Sequence, residues 1–353
     1  MRRATSNALS AARNCCMSSR RVERGREGGS MRALFLGNVA ADTANGIRAE
    51  LPPELEMEIV ADPKELTPKA AAATDILVTN IWRTDYPPAL RIALVQSVAT
   101  GIEWIEQAAL PRGIPICNAY GHETAIAEYV LMVMLAWSHR FREIESDFRL
   151  RSSWAPSWVN SGAPHGEIRG STLGIVGLGR VGREVARRAA AFGCHILAAN
   201  RSPRETGDGV ERIYPLATLD EMLPLCDTVA ICTAFGPETE RLFDARRLAR
   251  MKPTAFLVNI ARGAIIDEDA LYATLRDGTI GGAAIDVWWQ YPDPAEPDRR
   301  GSRHPFHELP NIIMTPHCSG WTAGMVRRRW DEIAENLRHF VKGEPLINVV
   351  TTT

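Results

Sequence analysis

No run of apolar residues in this chain approaches the roughly 18 that a membrane-spanning helix requires, and no short apolar stretch with secretory flanks is present. Pairs of cysteines at C-x-x-C spacing are missing too. The seven cysteines (Cys15, Cys16, Cys117, Cys194, Cys226, Cys232, Cys318) are odd in number and lie mostly in apolar segments, so they read as reduced, buried thiols rather than a disulfide framework. A cytoplasmic location is expected. The chain also lacks an excess of either charge, with a formal net charge of -1. That balance hides a basic N-terminal stretch, seven arginines against two glutamates in residues 1–30, which leaves 34 basic and 40 acidic residues for the rest. The remainder is acidic, which argues against a nucleic-acid surface. Residues 1–30 read as a disordered arm, a transit peptide or a stretch ahead of the true start at Met31. His304 and His307 have no third ligand at metal spacing, so no metal is expected.

What remains is ordinary for a globular protein, 45% hydrophobic and 24% charged over 353 residues, and long enough for two domains. Short apolar runs alternate with helical stretches at 33–36, 56–60, 76–79, 93–98 and 114–118, which is the rhythm of a small parallel sheet. A helical pattern from Thr124 is apolar on most sides and becomes charged between Arg140 and Arg151. After a turn-rich connection at 152–169, six further strands are expected at 173–176, 195–199, 228–232, 255–259, 282–285 and 312–315. That series fits a doubly wound dinucleotide domain. The predicted fold is α/β, with two Rossmann-like or flavodoxin-like domains and an active site in the cleft between them. The first comprises 31–124 with 321–353 and binds substrate; the second, 125–320, binds dinucleotide. An amphipathic helix over about 323–341 should return the chain to the first.

The strongest local signal is Gly177-Leu-Gly179-Arg180-Val181-Gly182, preceded by an apolar strand and followed by a stripe of Val181, Val185, Ala189 and Phe192. Gly177 permits a tight turn, Gly179 lets the backbone approach a pyrophosphate, and Gly182 allows the helix to pack closely on the strand. Free amides at the helix start then meet the phosphate charge. About 20 residues on, where an acidic residue would hold the ribose of NAD, the chain reads Asn200-Arg201-Ser202-Pro-Arg204. With no carboxylate to repel a 2'-phosphate and two arginines to pair with it, NADP(H) is the preferred cofactor on this reading. If those arginines are solvated, NAD held by Asn200 is the alternative.

The order of motifs resembles the D-isomer-specific 2-hydroxyacid dehydrogenase family from about residue 90 to 325. Ala99-Thr100-Gly101-Ile102-Glu103 resembles its substrate loop, and Thr124 to Glu128 the start of its interdomain helix. Val258 to Asp267, continuing to Asp286-Val287, and Pro310 to His317 complete the set. The resemblance implies hydride transfer between a nicotinamide and a small 2-keto or D-2-hydroxy acid, as in glyoxylate or hydroxypyruvate reduction. It implies that His317 is the acid in reduction and the base in oxidation. Arg262 would grip the substrate carboxylate and keto oxygen. Backbone amides of Thr100 and Gly101 would bind the carboxylate, with Tyr120 and His122 shaping the pocket. Asp286 would face the nicotinamide carboxamide, or else accept hydrogen bonds from neighbouring backbone. Arg180, Val181, Ser202, Cys232, Thr233 and Ala261 fall at positions that the family uses around its cofactor, and the resemblance implies a homodimer formed chiefly by the nucleotide domain and the segment around residues 125–165.

One position departs from the family. Where it carries a glutamate before a proline, in contact with the histidine, Asp286-Val-Trp-Trp-Gln-Tyr291-Pro292 places Tyr291. A neutral phenol can orient His317 but adds no full charge to stabilise imidazolium, so a less basic His317 is expected. Asp293 or Glu296 are alternative sources of that carboxylate. Trp288, Trp289 and Trp321 would line a bulky pocket or anchor the core. The departure leaves open two rivals, a cofactor-sensing binding module and a one-carbon or phosphorus acid oxidase.

Overall fold

The computed structural model describes residues 30–202, 205–292 and 296–352. These residues divide into two compact units, one of residues up to Gly121 together with Ala323–Thr353, the other His122–Thr322. Most of the basic N-terminal stretch, Arg204 and Asp293 lie outside the described residues.

In the first unit, five parallel strands form in chain order, β1 (Met31–Leu36), β2 (Leu55–Val60), β3 (Ile76–Thr79), β4 (Leu94–Ser97) and β5 (Pro115–Cys117). They pair in the order β5-β4-β3-β1-β2. β3 and β4 are buried at every position, as strands covered on both faces must be. One apolar cluster includes Phe35, Ile47, Val78 and Leu337, and the other Leu34, Leu77, Trp82 and Ile116.

The second unit carries seven parallel strands. They are β6 (Thr172–Val176), β7 (His195–Asn200), β8 (Val210–Pro215), β9 (Thr228–Ile231), β10 (Phe256–Asn259), β11 (Gly282–Ile285) and β12 (Ile312–Met314). Their order, β12-β11-β10-β9-β6-β7-β8, reverses direction at β6, which is the doubly wound arrangement. The chain then returns to the first unit through the helix Ala323–Lys342 and ends in β13 (Val349–Thr352), antiparallel to β5.

Two expectations need correction. β8 is a seventh strand where six were expected, because Val210-Glu-Arg-Ile-Tyr-Pro215 lacks a clean two-residue alternation and occupies a sheet edge. The helical pattern after Thr124 is two helices, Glu123–Ser138 and Phe141–Arg151. The break falls at Arg140, whose φ of 52° is left-handed and ends the helical ladder. Among the described residues no helix is long and apolar enough to cross a membrane.

Candidate active site

The glycine-rich turn joins β6 to the helix Arg180–Ala191, with Gly179 as its N-cap. Gly177 has φ +100°, and a Cβ there would come within 2.6 Å of the Thr233 backbone. A Cβ on Gly182 would lie 2.2 Å from the Gly177 carbonyl oxygen. Both glycines are therefore obligatory for packing. Gly179 differs, since a Cβ there would meet nothing within 4 Å. Open space in front of a helix N-terminus, with amides that the helix does not use, is what a pyrophosphate needs. The residues present thus fit a dinucleotide.

Asn200, at the end of β7, braces this turn. Its Oδ1 accepts from the Leu178 amide at 3.2 Å and its Nδ2 donates to the Ser202 carbonyl at 2.8 Å. Arg201 is exposed and faces Glu238 at 3.4 Å. Arg180 lies 3.7 Å from Glu123, and Val181 packs against the core from the helix's first turn. Cys232 and Thr233 follow β9, where the Cys232 amide donates to the Val176 carbonyl at 2.8 Å. Burial pushes the Cys232 thiol up to about 12.

β10 ends in fully buried Asn259, which shapes the next turn. Its Oδ1 accepts from the Ala261 amide at 3.1 Å, and its Nδ2 donates to the Arg262 carbonyl at 3.0 Å. Arg262 Nη1 in turn donates to the Ala261 carbonyl at 2.8 Å, which limits the swing of the guanidinium. Gly263 follows because a Cβ would collide with the Trp288 backbone at 2.4 Å.

His317 lies just past β12 at φ 56°. The segment around it is held by Asp286, fully buried at the end of β11. The Asp286 carboxylate accepts from Thr315 Oγ1 at 2.6 Å and from the amides of Cys318 at 2.9 Å and Ser319 at 3.0 Å. Asp286 therefore accepts hydrogen bonds from neighbouring backbone. Tyr129 extends the chain of contacts, with its hydroxyl 2.7 Å from Thr315 Oγ1, and burial pushes that phenol up to about 12.

The Tyr291 hydroxyl lies 2.9 Å from His317 Nδ1 and accepts from the Trp288 amide at 3.3 Å. His317 keeps a solvent-accessible face, yet the protein mass around the ring desolvates its cation. That desolvation holds its pKa below the ordinary 6.5, against the opposing pull of Asp286 and with a smaller push from the Arg262 charge. Burial likewise raises the Tyr291 phenol, which stays neutral near pH 7. Glu296, the described alternative to Tyr291, pairs with Arg299 at 3.4 Å.

Arg262, His317, Tyr291 and Asp286 are thus electrostatic neighbours within the second unit. Thr100, Gly101 and Tyr120 belong to the first. There Thr100 Oγ1 donates to the Ala119 carbonyl at 2.9 Å and Asn118 Nδ2 to the Thr100 carbonyl at 2.9 Å. The Tyr120 amide donates to Glu332 at 2.6 Å. His122 is the N-cap of Glu123–Ser138, in the second unit beside Gly320. Asn259, Thr315 and Tyr129 act around the site without having been expected there, and Trp288, expected as a pocket wall or core anchor, bonds to the segments around His317. Only Asn259 left a signal, a polar residue ending a buried strand just before a turn.

Residues 131–319 match the family model for the D-isomer specific 2-hydroxyacid dehydrogenase NAD binding domain. Glycerate dehydrogenase of Methylorubrum extorquens is 31% identical over 82% of this chain and 90% of its own length. Glyoxylate reductase of Korarchaeum cryptofilum is 33% identical over 85% and 87%. A solved family member from Aeromonas salmonicida superposes with a TM-score of 0.76 at 26% identity, covering 92% of this chain and 99% of that one. These relatives do not favour a non-catalytic binding module. The chain belongs to the D-isomer-specific 2-hydroxyacid dehydrogenase family and is an NAD(P)-dependent oxidoreductase of it.

Proposed function

We propose that the protein reduces a small 2-keto acid to the D-2-hydroxy acid, in the manner of a glyoxylate or hydroxypyruvate reductase, with NADP(H) preferred over NAD(H). The observation that carries this reading is the grouping of a guanidinium and an imidazole, Arg262 and His317, in the unit that also bears the glycine-rich turn. Gly177, Gly179 and Gly182 with the first amides of Arg180–Ala191 would hold the dinucleotide. The nicotinamide, when bound, supplies the hydride. Arg262 orients the substrate carboxylate and keto oxygen. His317 holds a proton at Nε2 and delivers it to the carbonyl oxygen, a contribution of about 10² to 10⁴ in rate. Tyr291 fixes the ring through Nδ1.

The NADP(H) preference is supported by the lack of a carboxylate at residues 200–202 and by the exposure of the Arg201–Glu238 pair, since an exposed pair of this kind is worth little and is easily exchanged for a phosphate. Buried free thiols at Cys117, Cys194 and Cys226 suit a reducing, cytoplasmic setting. A homodimer is the proposed assembly.

A panel of 2-keto acids assayed with NADPH and NADH tests both parts. Reduction of at least one acid with a higher kcat/KM for NADPH is expected, together with a loss of about 10² or more in His317→Ala. Turnover unaffected by that substitution defeats the catalytic assignment, and a clear NADH preference defeats the cofactor one.

A further inference from the structure

Trp288 makes contacts that no catalytic role requires of it, and each ends on a different part of the site. Its indole Nε1 donates to the Thr315 carbonyl at 2.9 Å, two residues ahead of His317. Its amide donates to the Tyr291 hydroxyl at 3.3 Å. Its own carbonyl carbon and oxygen occupy the space that a Cβ on Gly263 would need, so its backbone lies directly against the residue after Arg262. The indole face also covers Gly301, where a Cβ would fall 2.5 Å from the ring. We propose that Trp288 is a positioning residue that sets the Tyr291–His317 contact by tying the Tyr291 loop to the strand end before His317 and to the Arg262 turn.

The Tyr291 hydroxyl accepts from the Trp288 amide and keeps its proton and a second lone pair for His317 Nδ1; with the ring neutral the phenol donates to Nδ1, and that bond favours the neutral imidazole. The charged and titratable groups acting on the ring are Asp286 from the end of β11, Arg262 from the turn after β10, and Tyr291. Two of the three reach the ring from segments that Trp288 touches. Its neighbour Trp289 provides an internal comparison, because its indole Nε1 makes a bond of the same length, 2.9 Å, to the carbonyl of Ile266, which caps the turn after Arg262, and through it reaches neither the Tyr291 loop nor the strand end before His317.

The role rests on the proposed keto-acid reductase activity for its kinetic consequences but not for its structural one, and the test separates the two. In the full chain, the His317 ring is titrated by NMR, with His317→Gln identifying the resonance, in the wild type and in Trp288→Phe, Trp289→Phe and Tyr291→Phe. Trp288→Phe should raise the His317 pKa by about 0.5 unit, toward the Tyr291→Phe value, as loosening one neutral hydrogen bond predicts. It should lower kcat for keto-acid reduction about tenfold with KM little changed. The double variant with Tyr291→Phe should fall within about twofold of Tyr291→Phe alone, because both act through one contact. Trp289→Phe should lose comparable thermal stability and move neither kcat nor the titration. A Trp288→Phe titration that matches the wild type, or a Trp289→Phe effect on His317 as large, overturns the proposal. Should Trp288→Phe fail to fold, Gly301→Ala displaces the indole from outside and must produce the same titration shift. If the wild type reduces no keto acid, the reductase reading fails while the titration still decides the role of Trp288.

Discussion

A histidine in the left-handed region carries a backbone cost of about 1–3 kcal/mol unless its surroundings impose it. Here the surroundings are three hydrogen bonds into one buried carboxylate, Asp286, from Thr315, Cys318 and Ser319 on either side of His317. The same ring has a phenol rather than a carboxylate at Nδ1. With desolvation the largest cause and Arg262 adding to it, the imidazole pKa lies below 6.5. Reduction uses the protonated ring, so its kcat/KM should fall as pH rises through that lowered pKa. Oxidation uses the neutral ring and should rise through the same value. Tyr291→Glu would place a carboxylate about 3 Å from Nδ1 and favour the imidazolium, raising the pKa by about one unit or more. Both limbs of the pH–rate profile should then move to higher pH together. A descending limb for reduction that stays where it is in the wild type shows that residue 291 does not govern proton delivery.

At the scale of elements, the glycine turn separates two demands that a motif alone merges. Gly182 is needed by the fold and Gly179 by whatever approaches from outside, since a methyl at 182 meets a carbonyl oxygen and a methyl at 179 meets nothing. Gly182→Ala should lower stability by about 1–3 kcal/mol, as overpacking does, and weaken cofactor binding with it. Gly179→Ala should leave the melting temperature near the wild-type value and still weaken NADPH binding in a fluorescence titration. Equal losses of Tm in the two variants contradict this division. The contrast also marks what sequence could and could not convey. The turn, Arg262 and His317 were legible because each is a local pattern with a chemical reason. The elements with strict periodicity were legible for the same reason, whereas β8 was hidden by its irregular alternation at a sheet edge. The break at Arg140 was hidden because nothing there is a glycine or proline. The bracing by Trp288 and Tyr129 depends on partners 27 and 186 positions away, and no single window of sequence contains them.

For the whole molecule, the second unit leaves a run of large apolar side chains in solvent. Met132 is 53% exposed, Phe141 60%, Leu150 74%, Trp154 55% and Trp158 88%, all between residues 132 and 158. Met132 and Phe141 also line an apolar pocket with Leu135 and Phe192. Soluble monomers seldom expose apolar patches beyond a few hundred Å², and the proposed second copy would offer these side chains an equally apolar surface. The proposed homodimer would bury this segment, and its core would be apolar where most interfaces are mixed. Charge placed there should be costly in the dimer and nearly neutral in the separate chain. Met132→Glu combined with Phe141→Glu is therefore expected to halve the mass measured by light scattering at micromolar concentration, with little change in the far-UV circular dichroism spectrum. A wild type that already runs as a monomer, or a double variant that keeps the wild-type mass, removes this segment from the interface.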